Sequence, residues 1–221
     1  MVVTVDGPAG AGKSSVSREA AARLGFAFLD TGALYRALAL AAQRQGVDPD
    51  DPRAVAAWAP GVAVEARLRD GDFLVLLDGQ DVEPFIRNEA ISQLASRLSA
   101  AQPVRQRLLE LQRAAGKAGD LVAEGRDMGT VVFPEAEAKF FLTATDQARA
   151  HRRWLQLREQ GQKPDEAEVL AEMRRRDQRD ASRALSPCVP APDALEIDTT
   201  GYSQGQVVEL LVEEVERRRK T

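Results

Sequence analysis

One cysteine and one histidine in 221 residues leave this chain few of the usual chemical tools. Cys188 and His151 are too few for a zinc site built on His and Cys, and they argue against Ser-His or Cys-His nucleophilic catalysis. Cys188 has no internal partner for a disulfide and reads as a filler residue between prolines 187 and 190, and His151 as an ordinary helix residue. No stretch approaches the roughly 18 consecutive apolar residues of a membrane span. Residues 1–6 run straight into a glycine-rich loop with no secretory signal pattern, so a cytoplasmic protein without membrane contact is expected. Lysine is scarce as well: five (13, 117, 139, 163 and 220) among 30 basic residues, the rest being arginine. Against 34 acidic residues the net charge is −4, which argues against broad nucleic-acid binding. An enzyme made from this chain must work by positioning and charge, and phosphoryl transfer needs little else from a protein.

What the chain does have is concentrated near its start. Gly7-Pro8-Ala9-Gly10-Ala11-Gly12-Lys13-Ser14 satisfies G-x-x-x-x-G-K-[ST]. A short apolar strand, Val2 to Asp6, precedes it, and a helical run, Ser15 to Leu24, follows with Val16, Ala20 and Leu24 on one face. Glycines let such a loop curl its N–H groups inward around phosphate oxygens, and the following helix adds its positive end. Lys13 should reach the β- and γ-phosphates of a nucleoside triphosphate, and the Ser14 hydroxyl should bind Mg²⁺.

Beyond the first helix, which ends near Gly25, Phe26 to Asp30 reads as a second strand. It runs into Thr31-Gly32-Ala33-Leu34-Tyr35-Arg36, the start of a helix to about Gln45 for which Thr31 can serve as cap. From Gly61 the pattern changes to period-two alternation with Asp70-Gly71 and Asp78-Gly79 turn signals, a small antiparallel unit with one wet face. Helices over about 88–100 and 103–115, the latter with Pro103 suited to its first position, lead to a strand, Leu121 to Glu124. The loop Gly125-Arg126-Asp127-Met128-Gly129-Thr130 follows, then a strand, Lys139 to Thr143, and a helix that Asp146 can cap. Another helix begins at Asp165 and carries Arg176, Asp180 and Arg183 at i, i+4 and i+7, on one face. A last strand, Leu195 to Asp198, precedes a helix opened by the capping box of Ser203 and Gln206.

Five apolar strands alternating with helices predict an α/β fold with a doubly wound, parallel five-stranded sheet. Ligands of such sheets bind beyond the carboxyl ends of the strands. The segments there, 7–14, 31–36 and 125–130, are the three polar and unusual ones. On these motifs, and on Arg176-Asp177-Gln178-Arg179-Asp180-Ala181-Ser182-Arg183, the chain resembles the bacterial cytidylate kinases, which are P-loop nucleoside-monophosphate kinases. The resemblance spans essentially the whole chain. It implies a core of residues 1–60 and 101–221 with a mobile helical lid over about 152–164, and residues 61–100 as an inserted nucleoside-monophosphate-binding unit. It implies transfer from ATP, with Mg²⁺, to CMP or dCMP, in a monomer. By the same resemblance Gly7 to Ser15, with Ser15 included, would bind ATP, and Lys13, Arg126 and Arg183 would be catalytic. Arg36, Arg126 and Arg183 would hold the acceptor phosphate, with Thr31 and Tyr35 beside them. Arg176 and Asp180 would meet the sugar, and Ser96, Arg105 and Asp127 the base.

The residues support these roles unequally. Transfer between two polyanions needs fixed cations, and Arg126, at a strand end, and Arg36, early in a helix, are placed to supply them. The face bearing Arg176, Asp180 and Arg183 reads by itself as a salt-bridged surface helix, and only the resemblance turns that reading towards a binding face. Ser96 and Arg105 carry no signal of their own, and Glu124 could stand for the Walker-B acid, although acids often end strands. Two rivals stay open: another small-substrate kinase on the same scaffold (adenylate, shikimate or gluconate kinase), and a P-loop switch protein. For the switch, Gln162-Lys163-Pro164-Asp165 approaches the guanine-reading N-K-x-D but has Gln for Asn and lies between helices.

Overall fold

The computed structural model describes residues 1–220. Along the chain the elements are β1 (Val2–Asp6), α1 (Lys13–Leu24), β2 (Ala27–Asp30), α2 (Thr31–Gln45), α3 (Pro52–Trp58), β3 (Val64–Arg69), β4 (Asp72–Leu77) and β5 (Gln80–Asp81). There follow α4 (Glu83–Ile86), α5 (Glu89–Leu98), α6 (Gln102–Gly116), β6 (Leu121–Glu124), β7 (Ala138–Thr143), α7 (Asp146–Glu159), α8 (Glu166–Ser182), β8 (Leu195–Asp198) and α9 (Gln204–Arg219). The strands run in the order β3-β4-β2-β6-β1-β7-β8, with β5 on β4. From β2 to β8 every pairing is parallel, as the alternation of strands and helices predicted.

Successive strand residues point to opposite faces, and here both faces are covered. Val3, Val5, Phe28 and Val122 join α1 and α9 in one apolar cluster. Leu29, Leu121 and Ala123, one step along, join α2, α5 and α6 in the other. This two-sided burial is why the strands read as continuous apolar runs rather than alternating ones.

The β3–β4 hairpin is turned at Asp70-Gly71, both residues at positive φ, as its sequence predicted. It does not stand apart from the sheet. A single parallel bridge, Phe28 to Asp72, joins β4 to β2. Val64, Val75, Leu77, Ile86, Ile91, Ala95 and Leu98 pack into the cluster beneath α2. Its wet face is the outer one, where Glu65 and Arg67 are paired in solvent.

Helix ends correct four details. Asp30, not Thr31, caps α2 by accepting from the Ala33 N–H at 2.9 Å, because the Thr31 hydroxyl donates instead to the Glu124 carbonyl at 2.6 Å. Thr145, not Asp146, caps α7, which leaves the Asp146 carboxylate to Arg149 and Arg174. Pro103 follows Gln102, so it is the second residue of α6, where its missing N–H still costs nothing. Arg183 is the residue just past the end of α8, with extended backbone (φ −58°, ψ 130°), so only Arg176 and Asp180 share the helical face. The Ser203–Gln206 capping box at α9 forms as expected.

Candidate active site

Three neighbouring strands, β2, β6 and β1, each end in a buried acid: Asp30, Glu124 and Asp6. Isolated buried carboxylates are costly, so each must be spent on a partner. Asp30 caps α2 and also accepts from Arg36 Nη2 at 3.0 Å and Arg87 Nη2 at 2.8 Å. Burial works against its charge, but the two guanidinium groups hold it below the usual carboxylate range. Glu124 accepts from the Ser14 hydroxyl at 2.9 Å through one oxygen, while its other oxygen is buried without a partner. Burial, and then the charge of Asp30, raise its carboxyl. Asp6 accepts two backbone N–H bonds, yet burial still pushes it up to about 7.

The loop from Gly7 to Ser14 springs from β1 and opens α1. A Cβ at Gly7 (φ +141°) would lie 2.0 Å from the Leu142 carbonyl oxygen, so only glycine lets the chain pass β7 here. Gly12, at φ +85°, is the capping residue of α1 and offers no side chain to it. The first N–H groups of α1 are therefore left for an external anion. Lys13 is buried, with Nζ donating to the Pro8 carbonyl at 2.7 Å. Burial, and then the charge of Arg126, pull its ammonium down to about 7, opposed by Glu124. Ser15 donates to the Gly12 carbonyl at 3.1 Å.

A cleft of about 570 Å³ opens over this rim. Ala9, Gly10, Gly12, Lys13, Ser14 and Ser15 line one end of it, whereas Gly7, Pro8 and Ala11 lie behind that wall. Every other residue singled out from the sequence also lines it: Thr31, Tyr35, Arg36, Ser96, Arg105, Arg126, Asp127, Arg176, Asp180 and Arg183. With the phosphate loop they come from six separate segments, and helix α8 brings Arg176 and Asp180 in.

Arg126 donates from Nε to Asp180 at 3.3 Å and from Nη1 to the Gly125 carbonyl at 3.2 Å. Burial, and then Arg126, pull the Arg176 guanidinium down to about 10, the signature of cations crowded out of water. Arg183 reaches the Ser99 hydroxyl from Nη1 at 2.9 Å. Among the described residues, Arg36 Nε, Arg176 Nε and Arg183 Nη2 are buried donors without partners, and the Ser96 hydroxyl is likewise unpaired. Buried donors of this kind are rare and expensive. All four belong to residues that line the cleft. At the other end Arg105 is paired with Asp127, and the Tyr35 ring lies 5.9 Å from the Arg105 guanidinium. Burial pushes the Tyr35 hydroxyl up to about 12.

The structure adds residues that the sequence reading passed over. Arg87 lines the cleft beside Arg36 through their shared hold on Asp30. Asp6 and Asp30 had a readable signal, an acid closing an apolar strand at the carboxyl rim, and Glu124 had the same one. Arg152, Arg153 and Glu89 also line the cleft, with Arg153 and Glu89 paired across it. Elsewhere, His151 is exposed, bonded to Glu166 and stacked on Trp154, an ordinary helix residue as expected. Asp165 of the near-match to N-K-x-D caps α8 by accepting from the Glu168 N–H at 2.9 Å, a structural task. Cys188 is half-buried, its backbone N–H donating to the Asp180 carbonyl at 2.9 Å.

A glycine loop leaves the start of α1 uncapped, and three arginines with an unpartnered donor line the same cleft. A parallel α/β fold with such a loop at its carboxyl rim and a second group of cations in the same cleft is that of a P-loop kinase. Residues 3–217 match the family described as cytidylate kinase. The chain is 47% identical over 218 residues to a cytidylate kinase of Symbiobacterium thermophilum (98% of this chain, 96% of the relative). It is 46% identical over 219 residues to one of Stutzerimonas stutzeri (98% and 96%). The chain belongs to the cytidylate kinase family. Among solved structures, an uncharacterized protein from Eubacterium ventriosum shares the fold, with a TM-score of 0.52 at 10% identity, 98% of each chain being covered. A Thermus thermophilus protein, TT1252, does so at a TM-score of 0.51 and 17% identity, over 98% of this chain and 96% of its own.

Proposed function

We propose that the protein phosphorylates CMP and dCMP at the expense of ATP. The observation that carries this reading is the set of arginines with unpartnered donors in the one cleft that the phosphate loop and the Arg105–Asp127 pair also line. One cleft thus has a place for a triphosphate, a place for an acceptor phosphate, and a polar pair beyond it for a base. On this reading Gly7 to Ser15 hold the ATP phosphates. Arg36, Arg126 and Arg183 neutralise the acceptor phosphate, so that its oxygen can approach the γ-phosphate against charge repulsion. Arg176 and Asp180 hold the sugar, with the Thr31 hydroxyl bracing the rim by its bond to β6. Lys13, released from the Pro8 carbonyl, follows the charge that develops on the transferring phosphoryl group.

The residues present fit a divalent cation. The Glu124 oxygen without a partner, beside the Ser14 hydroxyl, is an oxygen pair of the kind Mg²⁺ takes alongside substrate phosphates. Ser14 and Glu124 would hold it, and it would screen the charge of the β- and γ-phosphates. Among the described residues no cluster of three or more His, Cys, Asp or Glu could hold a metal alone, and a cation shared with ATP needs none. No helix of the described residues is long and apolar enough to cross a membrane. We place the enzyme in the cytoplasm and treat it as a monomer.

The test is ADP formation from ATP and Mg²⁺ with each nucleoside monophosphate in turn. CMP and dCMP should give the highest kcat/KM, and purine monophosphates should be excluded by size. Preference for AMP or GMP, or slow hydrolysis indifferent to every monophosphate, would overturn the reading.

The lid follows from the same reading. Helices α7 and α8 pack on each other through Ala150, Leu157, Val169 and Met173, a cluster separate from the two main ones. So small an apolar contact holds an element weakly. Polar bonds tie it across the cleft mouth to α5, through Arg153 to Glu89 and Arg179 to Gln93. Without ligand, amides of residues 152–164 and 61–100 should exchange faster than those of β1, β6 and β7. ATP analogue and CMP together should slow the exchange. Equal protection with and without nucleotides would show that nothing closes.

A further inference from the structure

Asp6 has no part in the mechanism above, although it is buried at the end of β1, one residue before the phosphate loop. It closes β1 and its carboxylate accepts from the Met128 N–H at 2.9 Å and the Gly129 N–H at 2.8 Å, groups 122 and 123 residues further along. Met128 and Gly129 begin the wide, π-helical turn Met128–Val132, whose capping position is Asp127. The first N–H groups of a helical turn have no internal partner and are commonly satisfied by the capping side chain. Asp127 does not do this for its own turn, because its carboxylate is paired with Arg105 in the cleft. Asp6 caps the turn from another strand. The turn is seated hard against the sheet there: a Cβ on Gly129 would lie 3.0 Å from Thr4 Oγ1, 3.2 Å from Lys139 Cδ and 3.5 Å from Asp6 Oδ2.

We propose that Asp6 is a positioning residue for the acceptor nucleotide: by capping the Met128–Val132 turn from β1, it frees the Asp127 carboxylate to face the base and fixes the adjacent Arg126. This rests on the reading that Asp127 and Arg126 face the acceptor. The competing role is support of the phosphate loop, which begins at the next residue. The two roles differ in which substrate suffers when Asp6 is changed. Asparagine keeps the shape but offers a single acceptor and sets an NH₂ group against the second N–H.

The experiment measures kcat and KM for CMP, UMP and ATP in wild type, Asp6→Asn and Gly129→Ala, with folding checked by circular dichroism. Gly129→Ala crowds the turn against the Thr4 and Lys139 side chains by a few tenths of an ångström without altering any carboxylate. Asp6→Asn should lose about 10- to 100-fold in kcat/KM for CMP, the scale of a buried charge-assisted hydrogen bond, Gly129→Ala should lose less in the same direction, and both should narrow the CMP-to-UMP ratio. KM for ATP should stay within about twofold, since the phosphate loop keeps its own supports. In wild type, the Met128 and Gly129 amides should be among the slowly exchanging ones. A rise in KM for ATP matching that for CMP, or folded variants with unchanged kinetics, would overturn the proposal. Rapid exchange of those two amides in wild type would overturn it even if neither variant folds. Wild type that ignores CMP would overturn the assigned reaction, whereas a responsive wild type with an indiscriminate loss in Asp6→Asn would overturn this inference alone.

Discussion

Replacing Lys13 with alanine should lower kcat by about 10²- to 10³-fold or more, the scale seen when one preorganised donor to a transition state is removed. The ammonium is held in the free protein at an electrostatic cost. It is buried, faces Arg126, and hydrogen-bonds only a backbone carbonyl, with its pKa pulled down to about 7. Polyphosphate in the loop reverses that balance, because a buried cation gains most when an anion arrives in the same low-dielectric site. The gain is largest when charge spreads onto the transferring group, so the loss should fall on kcat more than on KM for ATP. Stability should barely change, since the variant also removes an unfavourably buried charge. Turnover and a melting curve on the same preparation check this. Near-normal turnover in a folded variant would take the phosphate loop out of the mechanism.

The second large effect concerns the choice of base. Cytosine offers an N4 amino donor and acceptors at N3 and O2. The Asp127 carboxylate can accept from N4, and the Arg105 guanidinium can donate to N3 and O2. The two side chains are already paired and mostly buried in the free protein, so the pattern is set before substrate arrives. The Ser96 hydroxyl beside them is buried and unpaired, a further acceptor or donor for the ring. Uracil would set O4 against Asp127 and its N3–H against Arg105. Each mismatch strands a buried group at a cost of about 1–3 kcal/mol. Two of them should separate CMP from UMP by about 10²- to 10⁴-fold in kcat/KM. Asp127→Asn and Arg105→Ala should narrow that ratio. If neither does, these residues do not read the base.

Much of this site could be seen in the amino-acid sequence because its signals are local. The phosphate loop is eight consecutive residues whose glycines, lysine and serine act within one turn of chain. Strand–helix alternation is likewise local, and with the right-handed crossover rule it placed segments 7–14, 31–36 and 125–130 at one rim. The arginines of segments 31–36 and 125–130 were visible for the same reason. Ser96 and Arg105 were named only through family resemblance. Nothing in their neighbourhoods marks them: Arg105 is placed by its pair with Asp127, 22 residues further along, and Ser96 by the cleft that it lines.

The tertiary structure decided the rest, and in each case through a bond between distant segments. Whether Arg176 and Asp180 form a solvated surface or a binding face depends on α8 crossing the cleft to meet Arg126 at a separation of 54 residues. Which acid at the rim does which task is also a matter of neighbours: Asp30 takes Arg36 and Arg87, Glu124 takes Ser14, and Asp6 takes the Met128–Val132 turn. Sequence determined the shape of the loop from Gly7 to Ser14, because backbone geometry at glycines is a property of a few residues. Partner choice among buried charges is settled by desolvation, which only the packed fold imposes.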